Sequence, residues 1–335
     1  MSRNVEFDIN GKMSRPAAHY REFTPCDELR EYVRAFFICT APEESRSADR
    51  LITRDAMVSS FCPAVFADGH VSIVVSFGRE YREDGFWHPG SVQPRAAVIG
   101  AMTAALPASS GPRRETVGAY LRAARASLFT HVPTDELTDR VVALEDLWRA
   151  AGSGLQEGIV EAKGDAERVG SLESALLKQL ADARGSNTAV DVAGLAAYAL
   201  RRRGQLNVPC LADAAGVSRQ RLATVFRESV GVSPKLYCRL ARFRAALTCA
   251  RDGVNWAQVA VEMGYTDQSH MIAEFREFSS VTPAELASRR FFHPFLERLD
   301  RLLPSNTISE CAVFRPDLRK TKPWFTSKNG ERKAR

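Results

Sequence analysis

The spacing of hydrophobic positions changes after the first third of the chain. Before about residue 135, short apolar runs alternate with glycine- and proline-rich turns such as LPASSGPRRE. In HVSIVVSF, residues 70–77, every second residue is apolar, which predicts a half-buried β-strand. The apolar positions of that run are Val71, Ile73, Val75 and Phe77. We therefore predict a β-rich domain over residues 1–135.

From about Thr134 the apolar spacing becomes helical. In DAERVGSLESALLKQLADAR, residues 165–184, apolar residues recur every three to four positions and form one stripe. This stripe indicates a helix packed on its own domain, with a dimerisation helix as the alternative. We expect residues 136–186 to be a helical extension and linker, with a hinge at 185–188. Three acidic residues are interpreted as helix-start charges, namely Asp135, Glu136 and Asp139.

The next segment, residues 187–290, contains an internal repeat. GVSRQRLATVFRESVGVSP (216–234) is followed by GYTDQSHMIAEFREFSSVTP (264–283), so that Gly264 lies 48 residues after Gly216. The apolar and turn letters are kept between the copies, whereas the polar letters change. This pattern is typical of one scaffold built twice with two different exposed surfaces.

Each copy has the pattern of a helix-turn-helix. Gly216 or Gly264 can take the left-handed conformation that ends a short helix, and Ser218 or Asp267 can then cap the next helix. Apolar residues four positions apart, Leu222 with Phe226 and Met271 with Phe275, indicate its buried side. Ser233 and Thr282 are predicted to start the helices that follow each unit. We place the two units at about 208–230 and 256–279.

The opposite side of each second helix is polar, and side chains there are candidates to contact DNA bases and phosphates. A single glycine-turn hairpin is also common in ordinary helical cores, so the repeat matters more than either copy. The candidates are Arg219, Gln220, Ala223, Thr224 and Arg227 in the first copy, and Gln268, Ser269, His270, Ala273 and Arg276 in the second.

The run that joins the two units has no helix breaker between Pro234 and Gly253. A helix of about 19 residues would be a rod of roughly 28 Å. One turn of B-DNA is about 34 Å. The spacing therefore favours two helices placed in successive major grooves of one duplex.

The net charge of +6 is distributed unevenly. Residues 1–186 carry 22 basic and 26 acidic residues (−4), 187–290 carry 14 and 9 (+5), and 291–335 carry 10 and 5 (+5). A basic C-terminal half is expected of a segment that meets a polyanion, although a solvated surface can have the same balance. We expect residues 291–335 to hold a C-terminal helix and a basic, disordered tail.

Other kinds of site receive no support from the sequence. The seven cysteines form no C-x-x-C pair and the six histidines have no metal-ligand spacing, so no metal or cofactor is expected. No run approaches the roughly 20 apolar residues of a membrane helix, and no nucleophile elbow or P-loop is present. A cytoplasmic protein that is not an enzyme is the simplest expectation.

The doubled segment resembles a known family. Residues 189–290, and above all GY-x-DQSH-x-x-x-xF, are similar to the DNA-binding domain of the AraC/XylS family of bacterial transcription regulators. The resemblance implies base-facing roles for Gln220, Ala223, Thr224, Gln268, Ser269, His270 and Ala273, with Arg227, Arg276, Ser233 and Thr282 near phosphates. The family often has arginine where this chain has Thr224 and Ala273, and glycine where it has Ser280.

The first half resembles the N-terminal domain of a subgroup of these regulators, through YREFTPCDELREYVRAFF (20–37), HVSIVVSFG and PTDELTDRVVALEDLW (133–148). Such domains bind a small effector or a partner subunit. Four residues are interpreted as part of the core, with a pocket as the alternative: His70, Phe86, Trp87 and Trp148.

Together these observations predict an α+β multidomain protein. Its N-terminal domain would be β-rich with a helical extension, and its C-terminal domain all-α with two helix-turn-helix motifs joined by a long helix. The predicted partners are double-stranded DNA, RNA polymerase, a small-molecule effector and a second copy of the chain. The alternatives are an adaptor that docks protein partners and an enzyme, such as a cysteine-based alkyl acceptor, fused to a DNA-binding domain.

Overall fold

The computed structural model describes residues 19–40, 64–67, 69–78, 94–107, 115–183, 190–249 and 254–288. The predicted hinge at 185–188 and the predicted tail at 291–335 lie outside these ranges. Within them, no helix is long and apolar enough to cross a membrane.

The N-terminal half is built on a six-stranded antiparallel sheet with strand order β1-β2-β7-β4-β5-β8. The alternation in residues 70–77 produces the expected buried face, since Ile73 and Val75 are fully buried. A separate ribbon consists of β3 and β6. The strands are β1 (His19–Phe23), β2 (Val33–Thr40), β3 (Ala64–Val65), β4 (Ser72–Ser76), β5 (Ala96–Ile99), β6 (Leu106–Pro107), β7 (Thr116–Leu121) and β8 (Val141–Ala143).

Four α-helices in the described residues cover this sheet or extend from it: α1 (Ser127–Thr130), α2 (Leu144–Trp148), α3 (Ala150–Glu161) and α4 (Asp165–Asp182). Helix α4 packs on β2 and β7 through its apolar stripe, in which Leu172 and Leu176 are fully buried. It is also tied to the sheet by an ion pair of 2.7 Å between Arg21 and Asp165. The stripe therefore serves the packing of its own domain.

The boundary at residue 135 needs two corrections. Strand β8 pairs with β5, so the sheet continues into the segment that was expected to be helical. Asp139 does not start a helix: its φ is +56°, and its carboxylate accepts hydrogen bonds of 2.7 Å from the amide and the hydroxyl of Thr103. This side chain instead holds the turn before β8 against the loop that follows β5.

The C-terminal half is all-helical, and the predicted fold class is confirmed. Helix α8 connects two helix-turn-helix units, α6 with α7 and α9 with α10. The helices are α5 (Val192–Arg201), α6 (Val208–Ala215), α7 (Arg219–Val230), α8 (Pro234–Leu247), α9 (Trp256–Glu262), α10 (Gln268–Ser279) and α11 (Pro283–Ser288).

The connecting helix α8 is shorter than expected. It has 14 residues, about 21 Å at 1.5 Å per residue, and not the 19 residues predicted from the absence of breakers. The helix ends at Leu247, although Thr248 keeps right-handed helical backbone angles, and the Thr248 hydroxyl donates to the Ala245 carbonyl at 2.7 Å. The absence of a helix breaker before Gly253 therefore leads to an overestimate of the length of α8.

The turn after α5 lies unusually close to α8. Gly204 has φ +67°, and a Cβ built there would lie 1.9 Å from the carbonyl oxygen of Cys238. No side chain can occupy that space without moving the backbone of one helix. By contrast, Gly216 has nearly the same conformation, φ +65°, with no atom within 4 Å of the Cβ position.

These two glycines make a matched test of the packing. Gly216→Ala should lower the free energy of unfolding by about 1–2 kcal/mol, because alanine disfavours the left-handed conformation. Gly204→Ala should cost about 1–3 kcal/mol more, because the methyl group overlaps α8. Urea denaturation measures both values, and equal losses would contradict the close approach.

Candidate DNA-binding surface

The first unit is closed by a glycine and capped by a serine. Gly216 ends α6 in the left-handed conformation, and its amide donates to the Asp213 carbonyl at 3.1 Å. Ser218 starts α7, where its hydroxyl accepts a hydrogen bond of 3.2 Å from the Arg221 amide. The turn between the helices is therefore fixed by local hydrogen bonds.

The second unit uses a stronger cap. Gly264 has φ +73°, and the Asp267 carboxylate accepts a hydrogen bond of 2.7 Å from the His270 amide. Beyond α10, Thr282 caps α11 through its hydroxyl, which accepts from the Glu285 amide at 3.2 Å. The Glu285 carboxylate in turn accepts from the Thr282 amide at 2.8 Å, which completes a capping box.

The connecting helix and the first helix of the second unit are capped in the same manner. The Ser233 hydroxyl accepts from the Leu236 amide at 3.3 Å at the start of α8. Asn255, which the sequence analysis did not single out, accepts from the Gln258 amide at 3.2 Å at the start of α9. Each segment of the double unit thus begins at a side chain that fixes its first turn.

The predicted contact residues lie on the outer sides of α7 and α10. The buried sides face the core through residues such as Leu222 and Phe226 or Met271 and Phe275, all fully buried. Ala223 is half-buried, whereas the other candidates are exposed: Arg219, Gln220, Thr224, Arg227, Gln268, Ser269, His270, Ala273 and Arg276.

The two helices differ in charge. Helix α7 carries Arg219, Arg221 and Arg227 against Glu228, a balance of 3 − 1 = +2. Helix α10 carries Arg276 against Glu274 and Glu277, a balance of 1 − 2 = −1 with His270 neutral. Attraction to a phosphate backbone is therefore concentrated on α7, while α10 begins with uncharged polar side chains.

A buried carboxylate ties α10 to the connecting helix. The Glu274 side chain is 2% exposed, and its Oε1 lies 2.7 Å from Nε of Arg239 and 3.2 Å from an Nη atom of Arg242. Arg239 also reaches Glu277 at 2.6 Å. Burial opposes the charge of Arg239, but its hydrogen bonds to Glu277 and Glu274 outweigh that effect and raise its pKa. The network fixes the rotation of α10 on α8.

Tyr265 and His270 belong to the same cluster. Tyr265 is buried with the guanidinium of Arg242 4.6 Å from its ring centre. Burial, and secondarily the Glu274 carboxylate, raise the pKa of the Tyr265 hydroxyl above its ordinary value. His270 Nε2 lies 3.6 Å from Glu274, and its ring meets Tyr265 edge-on at 5.5 Å. The His270 side chain therefore contacts Glu274 and Tyr265, although it is exposed to solvent.

Glu274 is not among the site residues predicted from the sequence, but the repeat contains a signal for it. When Phe275 is aligned with Phe226, Glu274 falls on Val225, which is a buried apolar residue of the first copy. A carboxylate at a core position requires a partner. Arg239 and Arg242 on α8 supply it.

The N-terminal half contacts the C-terminal ends of both α7 and α10. The hydroxyls of Thr134 and Thr138 donate to the carbonyls of Ser229 at 2.9 Å and Gly231 at 2.6 Å. At α10, the amides of Ala67 and Ala105 donate to the carbonyls of Phe278 at 2.8 Å and Glu277 at 2.9 Å. The first turns of both helices, which carry Arg219 and Gln220 or Gln268, Ser269 and His270, stay on the outer surface.

Comparison with known proteins adds an independent result. Residues 211–289 match the family described as "Helix-turn-helix domain", and residues 21–143 match a "Domain of unknown function (DUF6597)". No curated protein gives a significant match.

Among solved structures, ToxT from Vibrio cholerae O395 is 11% identical, with 68% of this chain and 93% of that chain covered and a TM-score of 0.34. An apo ToxT variant from Vibrio cholerae strain SCE256 is 14% identical, with 68% and 91% covered and a TM-score of 0.36.

The two capped units and the match over 211–289 define the class: the chain is a helix-turn-helix protein that binds DNA. The protein is a DNA-binding transcription regulator.

The buried network gives a stability prediction. Glu274→Gln should lower the free energy of unfolding by about 1–3 kcal/mol, because it leaves two arginines without their buried carboxylate. Glu277→Gln serves as the control and should cost less than about 1 kcal/mol, because Glu277 is exposed. The values come from chemical denaturation. Equal costs for the two variants would show that Glu274 does not hold α10.

Proposed function

We propose that the protein regulates transcription by placing α7 and α10 in successive major grooves of promoter DNA. The observation that supports this most directly is that each unit presents an exposed polar N-terminal turn, while α8 packs into the core of both units. The N-terminal residues of such helices are the ones that meet base edges in helix-turn-helix complexes.

The length of α8 bears on how both grooves are reached. At about 21 Å it is shorter than the roughly 34 Å between successive major grooves. The difference can come from the offset of α7 and α10 from the axis of α8, or from bending of the DNA toward the protein. A bent site would add specificity at base pairs that no side chain touches.

The two helices would make different kinds of contact with DNA. The three arginines of α7 suit contacts to phosphate and, from Arg219 or Arg221, to guanine. On α10, Gln268 can donate to and accept from adenine, and Ser269 can contact either base of a pair. Because Thr224 and Ala273 stand where the family often has arginine, guanine contacts from those positions are absent. We assign His270 to positioning through Glu274.

For the N-terminal half we propose a role in sensing a signal or in oligomerisation. Its hydrogen bonds to the ends of α7 and α10 support such a role, because a change in the sheet domain would reach both units. RNA polymerase and a second copy of the chain are the proposed protein partners. An adaptor without a ligand is the second candidate.

The alkyl-acceptor alternative loses support at two of the described cysteines. Burial raises the pKa of the Cys39 thiol to about 12. Burial also raises that of Cys238 to about 11, although Arg242 opposes the shift. A reactive cysteine needs a lowered pKa so that thiolate is present at neutral pH. At Cys39 and Cys238 the pKa of the thiol is raised instead of lowered.

Base reading by α10 is tested with Gln268→Ala. Binding to a selected site should weaken by roughly 1–3 kcal/mol, with relaxed preference at one base pair, because a bidentate contact is lost. Fluorescence anisotropy on the selected site and on its point variants measures this. Gln258→Ala, exposed on α9, is the control and should leave affinity unchanged. An equal loss on random DNA would contradict base reading by Gln268.

Phosphate contact is tested with Arg276→Ala. Affinity should fall for all sequences, and the slope of log K against log salt should become shallower by about 1, because one released counterion is lost. Arg140→Ala in the sheet domain is the matched control. If the slope stays the same in the Arg276 variant, that side chain does not meet a phosphate.

A further inference from the structure

A cleft lies between the sheet domain and the DNA-binding domain, with a volume of about 540 Å³. One wall comes from the sheet domain, through β2 and the turn after β7. The other wall comes from α5, the turn that follows it, and α8. The volume falls within the range of pockets that hold metabolites and cofactors, roughly 300–1,000 Å³.

The walls of this cleft are strongly cationic. Among the described residues that line it, six arginines stand against one acidic residue, Glu31, which gives a balance of 6 − 1 = +5 with His70 neutral. Glu31 is already paired with one of them, Arg125. The arginines are Arg34, Arg122, Arg125, Arg201, Arg203 and Arg244.

Arg201 and Arg203 form no ion pair within the described parts of the chain. Arg244 is 7% exposed, so its guanidinium charge lies in the protein interior at the wall of the cleft. Arg201 and Arg203 can therefore form ion pairs with a bound anion.

Backbone strain occurs at the same place. Arg203 has φ +52°, and Ala124, in the turn that supplies Arg122 and Arg125, has φ +61°. Non-glycine residues in the left-handed region are strained, and such residues cluster at ligand sites, where the strain fixes a geometry. Two independent turns thus hold arginines toward one cleft.

The other residues that line the cleft indicate what the uncharged part of the ligand would be. Small apolar residues of α5 and α8, such as Ala197 and Ala241, form part of the wall beside the ring of Tyr237. Arginine binds planar or tetrahedral oxyanions bidentately. Arg201 and Arg203 alone offer two positive charges to a ligand in the cleft, which matches a ligand with at least two negative charges.

We propose that the cleft binds a small organic anion with two or more negative charges, a phosphate ester or a polycarboxylate, whose carbon skeleton lies on the alanine and tyrosine surface. This inference rests on the proposed sensing role of the N-terminal half. The ligand would contact α8, the helix shared by both helix-turn-helix units, and would thereby change how α7 and α10 are held.

The test uses the full chain and four probes at matched ionic strength: GDP, citrate, octanoate and guanosine. GDP and citrate represent the two sources of multiple charge, octanoate a single charge on an apolar chain, and guanosine the neutral nucleoside. At least one of the first two should bind in calorimetry and raise Tm by about 4 °C at 100 times its Kd. Octanoate and guanosine should do neither.

The pocket variant is Arg201→Gln with Arg203→Gln, and its control is Arg140→Gln with Arg149→Gln. Both remove two positive charges, and Arg149 shares the left-handed conformation of Arg203, with φ +53°. Probe affinity should fall at least tenfold in the pocket variant and stay within about twofold in the control. If the double variant does not fold, Arg201→Gln alone, exposed at the end of α5, replaces it.

Other results would overturn the proposal. These are binding of octanoate alone, binding of none of the probes, or binding that survives the pocket variant. A fall in DNA affinity without probe, with a shallower salt slope in the pocket variant only, would mean that these arginines hold DNA phosphates instead. DNA binding by a chain that binds no probe would refute the cleft and leave the proposed function intact. Binding of a probe by a chain that binds no DNA would support the cleft and refute the proposed function.

Discussion

Helix α8 has to be buried on opposite sides at once, and the arrangement of the DNA-binding half depends on this requirement. Tyr237 and Cys238 join the core of the first unit, whereas Leu240, Phe243 and Leu247 join the core of the second. A helix with so little exposed surface cannot rotate without opening one core or the other. The spacing between α7 and α10 is therefore set by packing, and the backbone contact at Gly204 fixes α5 to the same helix.

The two copies of the unit use this shared helix differently. The first copy meets it with apolar side chains, including the edge-to-face pair of Phe226 and Tyr237 at 5.4 Å. The second adds a buried carboxylate, Glu274, that two arginines of α8 neutralise. Those arginines contribute to the basic composition of the segment but face the protein. The charge that can meet DNA is consequently smaller than the sequence count, and it lies mostly on α7.

Much of this fold can be predicted from the sequence, because local rules govern it: glycine in left-handed turns, Ser218 and Asp267 as caps, and apolar positions four residues apart. Contacts between distant segments could not be predicted in this way. The end of α8 at Leu247, the strand β8 after residue 135 and the turn at Asp139 depend on tertiary pairing. The cleft between the two halves likewise brings Arg122 to Arg201, which no periodicity in the chain reveals.

Selection of bound sites from random duplex DNA by the full chain tests the central claim most directly. Two rigidly joined reading helices predict enriched sites with two specified blocks whose centres lie about 10–10.5 base pairs apart, one helical turn of the duplex. The spacing between the blocks should be constant, because α8 permits no variation. A single enriched block, or two blocks at variable spacing, would contradict a reader built on one buried connecting helix.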